Sequence, residues 1–353
     1  RLRQTGVGNL IRCLISTLQL NVWCVSGSPD GKQALRIAFI GSEIDKRFFT
    51  HLIFDGEFSE ICLGRMWLWH LILVPWRLKK HFDILLVFGK IKLWQHFRNV
   101  NRFIIPTWVG GEIDLTEDIE KLRKSNRSLR SSIGKLKRNH LDFIVTKDPA
   151  FFDLFYHRMY LPYMRERHRN RAIYRKHEEM RKSFDSGELL FIRKGNDLIA
   201  GVLIDYQMMK TIPRTTQLGV LDGNADYVRE GALTAIYYYT IEYLKDKGHQ
   251  RFNVGLSRPF LSDGVLRYKR NWGMNIVCET PNAYLLCLLS ANTATRSFLL
   301  KNPFISMEHG EPVCTLFHDK ASFASDPVLD KSKFSAIARG LAKRVFEIGT
   351  HNQ

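Results

Sequence analysis

Asp263-Gly264-Val265-Leu266-Arg267-Tyr268-Lys269-Arg270-Asn271-Trp272-Gly273 closes the most legible part of this 353-residue chain. That part opens at the strand-like run Thr216-Gln217-Leu218-Gly219-Val220-Leu221, which ends in the turn signal Asp222-Gly223-Asn224. A helix then starts at Glu230-Gly231-Ala232-Leu233 and runs to Asp246-Lys247-Gly248. Its apolar positions Leu233, Ile236, Tyr237, Thr240, Ile241 and Leu244 recur at helical spacing, and Gly248 stands where a C-terminal cap belongs. The next strand is Arg251-Phe252-Asn253-Val254-Gly255. A strand feeding a helix whose first turn is small leaves backbone N–H groups aimed outward, a geometry that receives a phosphate without a basic side chain.

Upstream, Gly187–Arg193 and Leu198–Tyr206 read as two strands joined by the hairpin signal Lys194-Gly195-Asn196-Asp197. Gly201 marks either a close approach of ligand or backbone, or an ordinary strand irregularity. Downstream, Asn275–Glu279 and Tyr284–Leu289 are read as the final pair of strands. The order strand–strand–strand–helix–strand–helix–strand from Gly187 to about Leu289 resembles the catalytic half of the GNAT acyltransferase superfamily. Leu266-Arg267-Tyr268-Lys269-Arg270-Asn271-Trp272-Gly273 is similar to the Phe/Tyr-Lys-x-x-Phe/Trp-Gly signature of its Fem-type branch, tandem GNAT-like transferases that act on amino groups. Ser257-Arg258-Pro259-Phe260-Leu261-Ser262-Asp263-Gly264 adds to the match. The resemblance covers roughly Leu122 to Leu289 and is weak over the first hundred residues.

The resemblance implies an α/β fold with a mixed sheet (α+β in some schemes), built as tandem GNAT-like domains of which the first is degenerate. Residues 1–114 form that first unit, 115–325 a basic helical connector with the catalytic domain, and 326–353 a C-terminal amphipathic tail. Acyl transfer to an amine needs a donor held by its phosphates, a deprotonated amine and stabilisation of the tetrahedral oxyanion. By resemblance, backbone amides at Val220 and Leu221 align the donor carbonyl, and those of Glu230, Gly231, Ala232 and Leu233 take its pyrophosphate. Tyr268 matches the position of the GNAT tyrosine assigned as general acid for the leaving thiol; packing against the sheet is its other reading. Lys269 is the cation for donor phosphate or oxyanion, with an exposed lysine as the alternative. Asp222 and Asp263 are the nearest carboxylates to accept the amine's proton, and sequence does not choose between them. Arg258 and Trp272, inside the matching segments, are placed with the acceptor.

Charge separates this chain from an average acyltransferase. The net charge is +18 and the pI about 9.7, which predicts an acidic partner: phosphates, nucleic acid or an anionic membrane surface. Between Lys121 and Lys182 there are 18 Lys or Arg against 6 Asp or Glu. Thr116-Glu117-Asp118-Ile119-Glu120 is a good helix start. In the helix that follows, Leu129, Ile133 and Leu136 mark one face, and Arg127, Arg130, Lys135, Lys137 and Arg138 the others. A second helix follows Asp148-Pro149 with Phe151, Phe155, Met159 and Tyr160 as its stripe. The interleaved aromatics Phe152, Tyr156, Tyr160, Tyr163 and Tyr174 read as core or as base-stacking residues. Met164-Arg165-Glu166-Arg167-His168-Arg169-Asn170-Arg171 reads as an exposed loop, so Arg165 and Arg167 are expected to bind the acceptor.

Other classes are set aside by composition. Apolar residues at 45% and aromatics at 12% argue against global disorder. The six cysteines have no C-x-x-C spacing, which fits a reduced, intracellular chain. None of the twelve histidines falls in an H-x-x-x-H or H-E-x-x-H pattern, so no metal is expected. The run from Trp67 to Trp76 is too short to span a bilayer and reads as a buried strand or a Trp-rich membrane-touching patch. The first part also holds the short apolar runs Leu35–Ile40, Ile61–Leu63, Ile84–Phe88 and Phe103–Ile105. The tail, with Phe334, Ile337, Leu341, Val345 and Phe346 among basic residues, reads as an amphipathic helix.

The expected function is N-acyl transfer from acyl-coenzyme A, acetyl-coenzyme A included, to an amino group on a cell-envelope or polysaccharide precursor. One alternative is Fem-type transfer from aminoacyl-tRNA, favoured by charge and opposed by the lack of a long heptad-patterned hairpin. Another is a non-catalytic binding protein for nucleic acid or anionic lipid. The expected location is cytoplasmic, with peripheral contact at the inner face of the membrane as a second setting.

Overall fold

A computed structural model describes residues 19–348 except 30, 55, 68–77, 79, 97–100, 169–173, 207–211 and 320–336. The chain forms two compact units, Arg1–Val109 with Arg258–Leu266 and Cys278–Gln353, and Gly110–Ser257 with Arg267–Val277.

The first unit is built on β1 (Gln19–Gly27), β2 (Leu35–Gly41), β3 (Phe58–Trp67), β4 (Ile84–Lys90), β5 (Arg102–Pro106) and β13 (Asn282–Leu288). Their order is β3-β1-β2-β4-β13-β5, antiparallel except for β2 beside β4. Helix α1 (Glu43–Ile53) is capped by Ser42, whose hydroxyl accepts from the Asp45 N–H. A second sheet, β14 (Phe304–Glu308), β15 (Glu311–Asp319) and β16 (Ala342–Ile348), supplies Phe304, Phe317, Phe346 and Ile348 to a core shared with Phe39, Phe49, Phe103 and Tyr284. Helix α2 (Ile91–Trp94) and helix α11 (Thr293–Lys301) complete the unit.

The second unit carries β6 (Gly110–Asp114), β7 (Leu141–Thr146), β8 (Gly187–Lys194), β9 (Asp197–Asp205), β10 (Arg214–Val220), β11 (Arg251–Asn253) and β12 (Asn275–Val277). The order is β12-β6-β11-β10-β9-β8-β7, and only β10 and β11 run parallel. Its helices are α3 (Ile119–Ser125), α4 (Arg127–Arg138), α5 (Ala150–Asp153), a π-helix (Leu154–Tyr160), α6 (Leu161–His168), α7 (His177–Asp185), α8 (Ala225–Glu230) and α9 (Ala232–Asp246). Helix α10 (Gly264–Asn271) starts in residues of the first unit and ends in the second. The mixed α/β class, the β8–β9 hairpin and the order β8-β9-β10-α9-β11-α10-β12 agree with the sequence reading.

Three expectations change. The presumed final pair of strands is divided: β12 joins the second sheet, whereas β13 inserts between β4 and β5 in the first. Every interior residue of β13 is buried, as a central strand covered on both faces requires. The domain boundary is therefore not a single cut at 114, because the chain returns to the first unit after Ser257 and again after Val277. In the tail, Ala342–Ile348 is a strand parallel to β15 and not part of an amphipathic helix. Phe346 and Ile348 are buried while Val345 and Glu347 are exposed, a period of two that the basic residues disguised. Residues 337–341, with Ile337 buried, form a turn and not a helix, while 326–336 and 349–353 of the proposed tail lie outside the described residues, as does 68–76 of the Trp-rich run. No helix among the described residues is long and apolar enough to cross a membrane.

The aromatic stripe also shifts. Phe152, Phe155, Tyr156, Met159 and Tyr160 are buried together along α5 and the π-helix, while Phe151 is only partly buried. These rings are core and do not present faces for bases. Gly219 lets this helix lie directly on β10: a Cβ there would fall 2.4 Å from the Met159 carbonyl carbon. Gly201, by contrast, accommodates the rings of Phe191 and Phe155, not a ligand.

Candidate functional site

Parallel β10 and β11 are paired at one position only, Arg214 with Asn253. Past that position β10 continues to Val220, while the other chain turns through Gly255, whose N–H donates to the Asn253 side chain. Val254 is instead bonded to Gly111 of β6. The wedge so formed is approached from α10, where two consecutive side chains diverge. The Lys269 ammonium donates to the Leu256 carbonyl at 2.9 Å, just beyond β11. The Tyr268 hydroxyl donates to Thr234 at 3.5 Å, in the first turn of α9.

Both side chains are more enclosed than an exposed helix face would make them. Lys269 is 6% exposed, which removes the exposed-lysine reading. Burial raises the pKa of Tyr268, so its hydroxyl keeps its proton at neutral pH. The Tyr268 ring meets Tyr237 edge to face at 5.2 Å, and Tyr237 stacks on Trp272 at 5.6 Å. Trp272 is thus a buried core residue, although its indole N–H is buried without a hydrogen-bond partner.

The expected phosphate cradle is built differently from the sequence reading. Glu230 ends α8, and its carboxylate binds Lys194 at 2.8 Å. Gly231 is a left-handed joint, φ 111°, between α8 and α9. Helix α4 closes over it: Lys135 donates to the Arg229 carbonyl, Asn139 to the Glu230 carbonyl, and a Cβ at Gly231 would lie 3.3 Å from that of Lys135. Ala232 is fully buried and Leu233 partly exposed, and the start of α9 has no side-chain cap. The first turn of α9 is thus open at Leu233, whereas Lys194 and α4 engage the α8–α9 joint at Glu230 and Gly231. Val220 is buried at the end of β10, and Leu221 opens the turn after it.

Both candidate carboxylates have structural partners. Asp222, φ 52°, receives two hydrogen bonds from the Arg158 guanidinium, at 2.8 and 2.7 Å. Those bonds hold its carboxyl below the usual range. Asp263 accepts from the Leu266 N–H and caps α10. Arg165 and Arg167 are exposed, but on helix α6 and not on a loop; 169–173 lie outside the described residues. Arg258 belongs to the first unit, sandwiched between the rings of Phe48 and Trp108 at 3.8 and 3.7 Å and donating to the Thr107 carbonyl. Both faces of its guanidinium are thus covered by rings.

Arg175 joins a hydrogen-bond network that sequence reading missed. Its guanidinium donates to Gln217 of β10 at 3.2 Å and to Ser183 at 2.8 Å. Separations of 42 and 8 residues leave no local pattern for such a network. The basic face of α4, on the other hand, is as expected: Leu129, Ile133 and Leu136 are buried, and Arg127, Arg130, Lys137 and Arg138 are exposed.

No protein-family model matches the chain, and no curated protein matches it. Solved structures similar to it include L-PGS from Bacillus licheniformis, at 12% identity and TM-score 0.40 over 78% of this chain and 86% of that one. FemX is similar at 9% identity and TM-score 0.39, over 74% of this chain and 83% of that one. A GCN5-related N-acetyltransferase from Kribbella flavida is similar at 9% identity and TM-score 0.29, over 89% and 69%.

Proposed function

We propose that the second unit is an N-acyltransferase site that moves an acyl group from acyl-coenzyme A to an amino group on an envelope or polysaccharide precursor. The observation that carries this reading is the divergence of Tyr268 and Lys269. One reaches the uncapped start of α9, the other the exit of β11, in a segment that resembles the Fem-type signature. The start of α9 carries the positive end of a 15-residue helix, suited to a phosphate. In the reaction the amine attacks the thioester carbonyl, a C–N bond forms and the C–S bond breaks. Tyr268 supplies the proton that the leaving thiolate takes up, and the amine's proton passes to solvent water. Lys269 holds the Leu256 carbonyl and so fixes the backbone of 254–257 that lines the wedge; this makes it a positioning residue.

A second reading, transfer from aminoacyl-tRNA, is favoured by the exposed row Arg127, Arg130, Lys137 and Arg138 together with the net charge of +18. One experiment separates the two: calorimetric titration of the full chain with acetyl-coenzyme A and with charged tRNA, alongside mass spectrometry of ligands that co-purify. Acetyl-coenzyme A binding that Leu233→Glu weakens supports the first reading. Salt-dependent binding of tRNA alone supports the second, and binding of neither overturns both.

A further inference from the structure

Three ligating side chains meet at one point of the second unit. Asp153 ends α5, His157 lies in the π-helix and His177 opens α7. The ligand atoms of the three lie within 4.8 Å of one another. His177 Nε2 and Asp153 Oδ1 are 2.9 Å apart, and the two imidazoles lie face to face, 5.7 Å between centroids and 28° between planes. The sequence shows no H-x-x-x-H because only Asp153 and His157 are close along the chain.

His177 is held in place by its surroundings. The Tyr156 hydroxyl donates to the Arg175 carbonyl at 3.1 Å, and the Arg175 N–H donates to the Tyr160 hydroxyl at 2.8 Å. Two tyrosines of the π-helix thus fix the peptide groups on either side of Arg175, two residues before His177. The His177 ring is further wedged edge-on against Phe152 and Tyr156, at 5.1 and 4.8 Å. The nearby Arg181 is engaged with Asp185 and lies over the rings of Phe152 and Phe184.

We propose that Asp153, His157 and His177 form a binding site for a first-row divalent cation of the zinc type. Two imidazoles and one carboxylate are the donors that borderline cations prefer, and exposure leaves the remaining positions to water. Bound there, the ion bridges the π-helix to the start of α7, the same two segments that the tyrosines join. It lies on the helix that carries Arg158 and packs on β10, so it stiffens that support without touching Tyr268 or Lys269.

The test is calorimetric titration of the chelator-stripped full chain with zinc chloride near neutral pH, for the wild type, His157→Gln and Asp153→Asn. Other histidines and the exposed Cys62 can also take zinc, so the difference between wild type and variants is what reads this site. The wild type should bind one equivalent more than His157→Gln, or bind it at least about tenfold more tightly, the scale of losing a metal-site partner. Cobalt should give the visible absorption of a low-symmetry nitrogen and oxygen site in the wild type, and lose it in both variants. Zinc should also raise the melting temperature of the wild type and not of His157→Gln. Equal stoichiometry and affinity in wild type and variants, with equal cobalt spectra, overturns the proposal.

Discussion

The Lys269 ammonium donates to the main-chain oxygen of Leu256 at 2.9 Å, while Lys269 itself is almost wholly buried. A helix side chain is thereby tied to the turn that leaves β11. The cation is part of the fold as well as of the wedge, so its substitution has to be read on both.

Lys269→Met removes the donor and leaves the Leu256 carbonyl without this bond. Stability should fall by about 1–3 kcal/mol, the cost of orphaning a buried polar group. Lys269→Arg should recover part of the loss, limited by its planar fork. Chemical denaturation of the three proteins measures this. An unchanged unfolding midpoint for Lys269→Met would show that the bond contributes nothing.

Tyr268→Phe keeps the ring contact with Tyr237 and deletes the hydroxyl on Thr234. Turnover should drop by roughly 10²-fold, the lower range for a lost general acid, with the melting temperature near that of the wild type. Because burial raises the Tyr268 pKa, its protonated form is complete below pH ~10 and is lost only as pH rises through the higher folded value. The pH profile of kcat/KM should therefore show no loss from this group until pH exceeds ~10. An alkaline limb nearer neutrality that disappears in Tyr268→Phe would contradict this assignment.

Gly219→Ala and Gly134→Ala should move stability in opposite directions. At Gly219 the new methyl meets the Met159 backbone at 2.4 Å, and neither β10 nor the π-helix can yield cheaply. A loss of about 2–4 kcal/mol is expected, in the range of overpacked or backbone-displacing core changes. At Gly134, inside α4, an added Cβ has nothing within 4 Å. There alanine should stabilise by about 0.5–1 kcal/mol through helix propensity and reduced unfolded-chain entropy. Thermal melts of the two variants decide the matter, and equal shifts would exclude the packing of the π-helix on β10.

Asp222 links charge to stability. Its folded pKa lies below the unfolded value of ~3.9, so its contribution is complete above that value and fades as pH falls through the folded one. Both Asp222 and Arg158 are more than half exposed, at 53% and 57% of their side chains, so solvent screening keeps the effect small. Asp222→Asn tolerates the same backbone conformation. It should cost no more than ~1 kcal/mol at neutral pH, and progressively less as pH falls below ~3.9. A difference from wild type that grows on acidification would reverse the sign of this linkage.

The period of the apolar residues was enough to place β8, β9, β10, α4 and α9, because each buries one face or two against its own unit. The glycine before Ala232 was legible as the mark of a helix start, though not as the left-handed joint between α8 and α9 that it proves to be, and Tyr268 and Lys269 stood out by their resemblance to a known signature. What they touch was not legible. Whether Lys269 is exposed or bonded to Leu256 depends on how α10 lies against the turn after β11. Arg158 takes up Asp222 from 64 residues away. Asp153, His157 and His177 become neighbours only because the π-helix and two tyrosine hydroxyls bring α7 to them. The tail shows the same limit: Ala342–Ile348 carries basic and apolar residues compatible with a helix face, and becomes a strand because β15 offers it an edge to pair with. Local pattern determines which residues are to be buried; backbone hydrogen bonding and close packing between distant segments decide against what, and with that the chemistry each polar group is left to do.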